Sequence, residues 1–109
     1  MNQWDTYQWQ FPHGDHPCIV ISPPKRAANS QIDSVNVLGA STQRASRQPL
    51  LHEVLLDKAD GMDWETLVRC DVIYLAKKSE LMKHRGSVTI ERRRAIGSLI
   101  IRLFGFWIG

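Results

Sequence analysis

The chain is poor in cysteine. Its 109 residues hold only Cys18 and Cys70, with no CxxC spacing, which excludes a disulfide-dense scaffold and the common zinc-ribbon arrangements. Each cysteine lies in an apolar, strand-like run. The two read as buried thiols of a reducing compartment, with a single disulfide as the alternative. No HExxH pair and no phosphate-cradling glycine loop is present, so the zinc-protease and P-loop nucleotide classes are excluded too. The longest apolar stretch, residues 99–108, contains Arg102 and is too short to span a bilayer. Residues 1–5 show neither the basic nor the apolar part of a secretory leader. The expectation is a soluble, cytoplasmic protein with no membrane segment. Repeats, low-complexity tracts and second-domain signals are lacking, which leaves one domain, residues 1–109, with one modest core.

What is present is ordinary globular material, 43% hydrophobic and 23% charged. A net charge of +3 permits an anionic partner without requiring one. Residues 6–11 set Tyr7, Trp9 and Phe11 against Gln8 and Gln10, the alternation of a half-buried strand. Residues 12–17 are turn chemistry, and residues 18–22 form a short continuous apolar run, a core strand. Residues 35–38 and 51–56 read as further strands, with His52 a surface residue of the second. Residues 25–33 read as a polar loop. Residues 43–49 carry Arg44 and Arg47 without apolar periodicity and read as a mobile loop. Asp63 is placed to N-cap a helical turn through Thr66, and Ser79 to N-cap a short helix over 80–84 closed by Gly86. Thr89 would cap a last helix, with Glu91 in its first turn. Ile96, Leu99, Ile100 and Leu103 would form one buried stripe of that helix. Five or so short strands with a terminal helix imply a small, strongly bent sheet or barrel with helices packed on it.

The run Leu67-Val68-Arg69-Cys70-Asp71-Val72-Ile73-Tyr74-Leu75 is the most informative segment. On a single strand, Leu67, Arg69, Asp71 and Ile73 share one face, and Val68, Cys70, Val72 and Tyr74 form the core side. Two ionised groups on an apolar ribbon need a partner or a task. One reading is a surface ion pair contributing ~0–1 kcal/mol. The other is an acid–base pair facing a substrate.

The remaining polar residues carry weaker signals. His13, His16 and Cys18 lack a fourth spaced ligand, which argues against a zinc site, and no metal or cofactor is expected. Ser41 and Thr42 have no activating neighbour in sequence, so a serine-type triad is unsupported. Arg92-Arg93-Arg94 reads as the solvated face of a helix, with phosphate contact as the alternative. Phe104, Phe106 and Trp107 make an apolar C-terminus that either completes the core or covers a partner subunit.

These segments together resemble the PemK/Kid/MazF toxin family. Residues 67–71 resemble its V-V-R-C-D strand, and residues 4–11 its opening G-D-x-x-W-V-D-F strand. His16-Pro17-Cys18-Ile19-Val20-Ile21-Ser22 is similar to its R-P-V-V-V-x-S strand. Residues 37–43 are similar to V-P-x-T-(S/T)-Q, and residues 52–56 to F-E-V-x-L. Lys78-Ser79-Glu80-Leu81, Gly86 and the closing helix match the family's ending. The resemblance implies a mainly β fold with some α structure, an SH3-like small β-barrel with short helices and a C-terminal helix, forming a homodimer. Active members are metal-independent endoribonucleases that cut single-stranded RNA through the substrate's own 2′-hydroxyl and are neutralised by a cognate antitoxin.

Carried over by position, the resemblance makes Asp71 the base or its orienter and Arg69 the stabiliser of the phosphorane. Ser41 or Thr42 falls where a hydroxyl flanks the scissile phosphate. Gln43, Arg44 and Arg47 are candidates for RNA contact. Departures from the pattern are His16 in place of an arginine, Gly39 in place of a proline, a first loop shortened to residues 12–15, and Ile73-Tyr74 where a polar residue is common. Two competing readings follow from them. One is a catalytically impaired module of the same fold that binds nucleic acid or a protein. The other is a barrel toxin directed at a protein such as a topoisomerase.

Overall fold

The computed structural model describes residues 1–109. Five antiparallel strands form one sheet in the order β6-β3-β2-β1-β7, and β4 and β5 form a separate two-stranded ribbon. The sheet strands are β1 (Asp5–Phe11), β2 (Gly14–Val20), β3 (Ser34–Gly39), β6 (Tyr74–Lys77) and β7 (Met82–Ser87). The ribbon consists of β4 (Glu53–Leu56) and β5 (Thr66–Arg69). Helix α1 (Pro24–Ala27) is a single turn, and α2 (Ile90–Leu103) closes the chain. Sheet and ribbon meet at one isolated bridge, Ala40 to Val68, and no hydrogen-bonded closure into a barrel is found. No helix is long and apolar enough to cross a membrane.

The sheet is covered on both faces, because alternate residues of each strand supply two separate cores. Trp9, Phe11, Cys18, Val20, Val35, Val37 and Ala76 pack on one side with Ala27 of α1. Ile19 and Leu38 point to the other side, where they meet Leu56 and Val68 of the ribbon and Ile96 and Leu99 of α2. Full burial of side chains such as Ile96 contributes about 1.5–3 kcal/mol each. Cys18 and Cys70 are buried and unpaired, as the thiol reading required. Burial pushes both thiols up to about 12.

Several sequence expectations need correction. The run 67–75 is not one strand. It leaves β5 after Arg69, turns through residues 70–73 and joins the main sheet as β6. Apolar, strand-favouring residues fit one long strand or two short ones equally well, so the break is set by tertiary pairing. Leu67, assigned to the open face, is buried. Val72 and Tyr74 are only half-buried. Residues 82–84 are strand rather than helix, because pairing with β1 outweighs a helix too short to hold itself. Asp63 caps nothing. The cap of the 3-10 turn Lys58–Asp60 is Asp57, whose carboxylate accepts from the Ala59 N–H. Residues 25–27, expected as loop, belong to α1. His52 sits in the turn before β4.

The last helix was placed correctly, but its neighbours differ from expectation. Leu103 is 39% exposed, so the stripe ends at Leu99 and Ile100. The Thr89 side chain caps nothing, and the Thr89 N–H instead donates to Asp60 Oδ1 at 2.8 Å. Arg92 is no solvated cation: its Nη1 lies 2.6 Å from Oδ2 of the fully buried Asp60 carboxylate, with Asp57 at 3.3 Å. Arg93 donates to the Val88 carbonyl and Ser87 Oγ, which leaves Arg94 as the exposed member. Asp60 lies where the 3-10 turn crosses β7. A Cβ on Gly61 there would stand 2.6 Å from Thr6 Oγ1 and 2.9 Å from the Arg85 carbonyl, so only glycine fits. Phe106, Trp107 and Ile108 are almost fully exposed and complete no core.

Candidate functional site

A cleft of about 360 Å³ opens where the β1–β2 hairpin, the end of β3 and the β4–β5 ribbon converge. Each wall follows from local sequence. The β1–β2 connection is a two-residue turn, Pro12-His13, with Phe11 opposite Gly14. It sets His16 opposite Trp9, on the same sheet face as the aromatic core. The end of β3 is Gly39, where any Cβ would stand 3.1 Å from the Phe11 ring. The family's proline position thus holds the residue that lets that aromatic ring close over it. Past Gly39 the chain is held from both sides: the Ala40 N–H donates to the Pro17 carbonyl, and the Ser41 N–H to the Leu67 carbonyl at 3.0 Å.

The structure brings His16, Ser41, Gln43, Arg44, Arg47 and Arg69 to this cleft. Asp71 is joined to it through Arg69. Arg69 Nε donates to Asp71 Oδ1 at 3.0 Å and Nη2 donates to Oδ2 at 2.8 Å, a planar two-point clasp that leaves Nη1 unpartnered within the chain. The Arg69 side chain is 56% exposed and the Asp71 side chain 33%. Hydrogen bonding to Arg69 holds the Asp71 carboxyl below the usual carboxylate range. The clasp is therefore ionised at neutral pH. Thr42 is exposed and is not part of the cleft wall, so of the two hydroxyls the structure favours Ser41. Ser41 Oγ accepts from the Gln43 N–H, which fixes the turn that carries it.

The two linker arginines differ. Arg47 is engaged by Glu53 through paired hydrogen bonds of 2.7 and 3.0 Å. The Glu53 side chain is only 6% exposed and also accepts from the Leu50 N–H. Arg44 touches Glu65 at 3.3 Å with both side chains open to solvent. The segment 43–49 is irregular, as expected, but it is not free: these ion pairs and the Ala45 N–H bond to the Glu65 carbonyl tie it down.

His16 is the least comfortable residue in the site. Its Nδ1 is buried against the aromatic core and has no hydrogen-bond partner. A buried polar atom left in that state costs about 1–3 kcal/mol. Burial pushes the imidazole pKa down, the neighbouring His13 pushes it the same way, and Asp15 opposes both. His16 is thus a neutral imidazole at neutral pH, able to accept a proton. Sequence reasoning missed His13, Glu53, Val72 and Tyr74 as members of the same wall. The signal for His13 was the i, i+3 spacing to His16 across a turn that is shorter than the six turn-like residues suggest. No group of three His, Cys, Asp or Glu side chains converges as a metal site would require.

With this geometry in view, the chain was compared with known proteins. A family model described as "PemK-like, MazF-like toxin of type II toxin-antitoxin system" matches residues 4–104. A search of curated proteins gives no match. Among solved structures, an endoribonuclease in complex with its cognate antitoxin from a mycobacterial species superposes with a TM-score of 0.79 at 19% identity, over 100% of this chain and 99% of that one. The Mycobacterium tuberculosis toxin MazF-mt6 gives 0.77 at 18% identity, over 94% and 99% of the two chains. The MazE-MazF crystal structure from Deinococcus radiodurans gives 0.73 at 17% identity, over 98% and 97%. At these identities the superpositions establish a shared MazF-like fold.

Proposed function

The chain belongs to the PemK-like, MazF-like toxin family of type II toxin–antitoxin systems, and from that premise we propose that it is an endoribonuclease cutting single-stranded RNA by attack of the substrate's own 2′-hydroxyl. The observation that carries this reading is the placement of Arg69 in one cleft with His16 and Ser41. Its guanidinium is clamped by Asp71 on one edge and open on the other. In-line attack on a phosphodiester needs a base for the 2′-hydroxyl and a fixed cation for charge growing on the phosphoryl oxygens. Arg69 is that cation, since it stays protonated at any ordinary pH. Asp71 acts through Arg69 as its orienter, because a carboxylate engaged at both oxygens is a poor base. His16, held neutral, is the base, and Ser41 donates to a phosphoryl oxygen. Gln43 and Arg44 contact the RNA strand beyond the scissile bond, and Arg47 shapes the wall while bound to Glu53. The products are a 2′,3′-cyclic phosphate and a 5′-hydroxyl, and no metal or cofactor takes part.

The proposed assembly is a homodimer silenced by a cognate antitoxin. Family membership and the two relatives crystallised with antitoxins support the second part. The exposed Phe106-Trp107-Ile108 segment supports the first. The test is incubation of purified protein with a long single-stranded RNA and excess chelator, with Arg69→Ala and His16→Ala alongside. Cleavage by the parent that both substitutions abolish, with cyclic-phosphate ends, supports the mechanism. Binding without cleavage selects the non-catalytic module instead.

A further inference from the structure

The set above lacks one part of the reaction. As the bond from phosphorus to O5′ breaks, the leaving oxygen needs a proton, and none of the groups assigned so far supplies it. Arg69 does not release a proton at ordinary pH. Asp71 is ionised inside its clasp, and Glu53 is ionised against Arg47, which holds its carboxyl low. Two cleft residues remain, His13 and Tyr74. A phenol titrates near 10 and an imidazole near 6.5, so the imidazole is matched far better to donation near neutrality.

The hairpin places that imidazole beside the base. The His13 and His16 rings lie 4.8 Å apart, tilted by 35°, and both pack on Phe11. One ring is sunk into the aromatic face and the other is exposed at the turn. Two imidazoles this close do not easily carry charge at the same time. Burial disfavours the charged form of His16. Other groups act on this balance. Asp15 flanks the pair on β2, Glu53 and Arg69 face it from the ribbon, Arg44 and Arg47 from the linker, and Tyr74 from β6.

We propose that His13 and His16 form a proton-transfer pair, with His13 the general acid for the leaving O5′ of RNA and His16 the general base for the 2′-hydroxyl. This rests on the ribonuclease reading given above. His16 Nε2, the nitrogen not enclosed by the core, takes the 2′-hydroxyl proton as the bond from O2′ to phosphorus forms. His13 gives its proton to O5′ as the bond from phosphorus to O5′ breaks. The pair ends with the proton on His16, and exchange with water or between the facing rings returns it to His13. No other reactant is consumed.

The experiment is single-turnover cleavage from acid to alkaline pH by the parent protein and by His13→Gln, His16→Gln and Tyr74→Phe. Each is measured on RNA containing a mapped cleavage site and on the same RNA with sulfur replacing the leaving O5′. A thiolate leaves without a proton. The parent should show a bell-shaped profile on ordinary RNA. His13→Gln should lose the alkaline fall and at least ~100-fold in rate. On the sulfur substrate it should return to within a few-fold of the parent, while His16→Gln stays slow and loses the acid limb instead. A His13→Gln rate near the parent's on ordinary RNA overturns the proposal. So does a defect that sulfur does not relieve, or relief seen for Tyr74→Phe in its place. A parent protein that cleaves no RNA overturns the ribonuclease reading itself, a different outcome from any of these.

Discussion

Two of the molecule's arginine–aspartate pairs are of similar length and opposite circumstance. Arg92 meets Asp60 at 2.6 Å beneath α2, where the carboxylate is fully buried. Arg69 meets Asp71 at 2.8 Å on the cleft rim, with both side chains open to solvent. The buried carboxylate has all its partners inside the protein: the Thr89 and Asp57 N–H groups and Arg92. The rim pair leaves Arg69 Nη1 pointing at nothing in the chain. The same two residue types thus serve as a structural joint in one place and as an exposed, pre-aimed cation in the other. Burial and completeness of hydrogen bonding make the difference.

The largest expected effect breaks the buried side of the comparison. Asp60→Ala strands the Arg92 charge and the Thr89 and Asp57 N–H groups, and should lower unfolding free energy by about 3–5 kcal/mol in denaturant titration. Next, Arg69→Ala should cut RNA cleavage by about 100- to 1,000-fold while moving stability by less than about 1 kcal/mol. An equal loss of stability in both variants would erase the distinction drawn here. A third test uses acid. Burial alone would raise the Asp60 pKa, but its hydrogen bonds from Thr89, Asp57 and Arg92 outweigh that and hold it low. A depressed folded-state pKa stabilises above the unfolded value, near ~3.9, and that stability is lost as pH falls through the folded value. Asp60→Asn should therefore flatten the acid limb of the stability curve, whereas Asp71→Asn, at a solvent-screened pair, should flatten it less. The smallest effect sharpens the role of the rim. Arg44→Ala should weaken RNA binding uniformly across sequences and reduce the salt slope of affinity by about 1.

Much of this contrast was legible in the sequence on one side only. Arg69 and Asp71 announced themselves, because two charges inside an apolar run are conspicuous. Arg92 sat in a run of three arginines that looks like any solvated helix face, and its partner Asp60 lies 32 positions upstream in an unremarkable Asp-Gly turn. Nothing local links the two, since the joint exists only after the 3-10 turn crosses β7. Strand positions were readable from alternation for β1 and β4. The split of residues 67–75 between two sheets was not, because apolar runs do not reveal which neighbour they pair with. Ser41 and His16 were recognisable from the family pattern, whereas His13 needed the true turn length. The helix expected over residues 80–84 failed for the same reason as the missed ion pair: a distant strand, β1, decides the conformation there.

The two-residue turn Pro12-His13 has a thermodynamic consequence of its own. Where the opening hairpin of a site is a long flexible loop, ordering that loop on ligand binding costs about 1–2 kcal/mol per residue in lost backbone freedom. Here the strands run straight into the turn, and proline restricts the chain even before folding. Little remains to be ordered when a strand of RNA arrives. Association should then proceed in a single kinetic phase without an isomerisation step, and ordering of this turn should add only a small unfavourable entropy to binding.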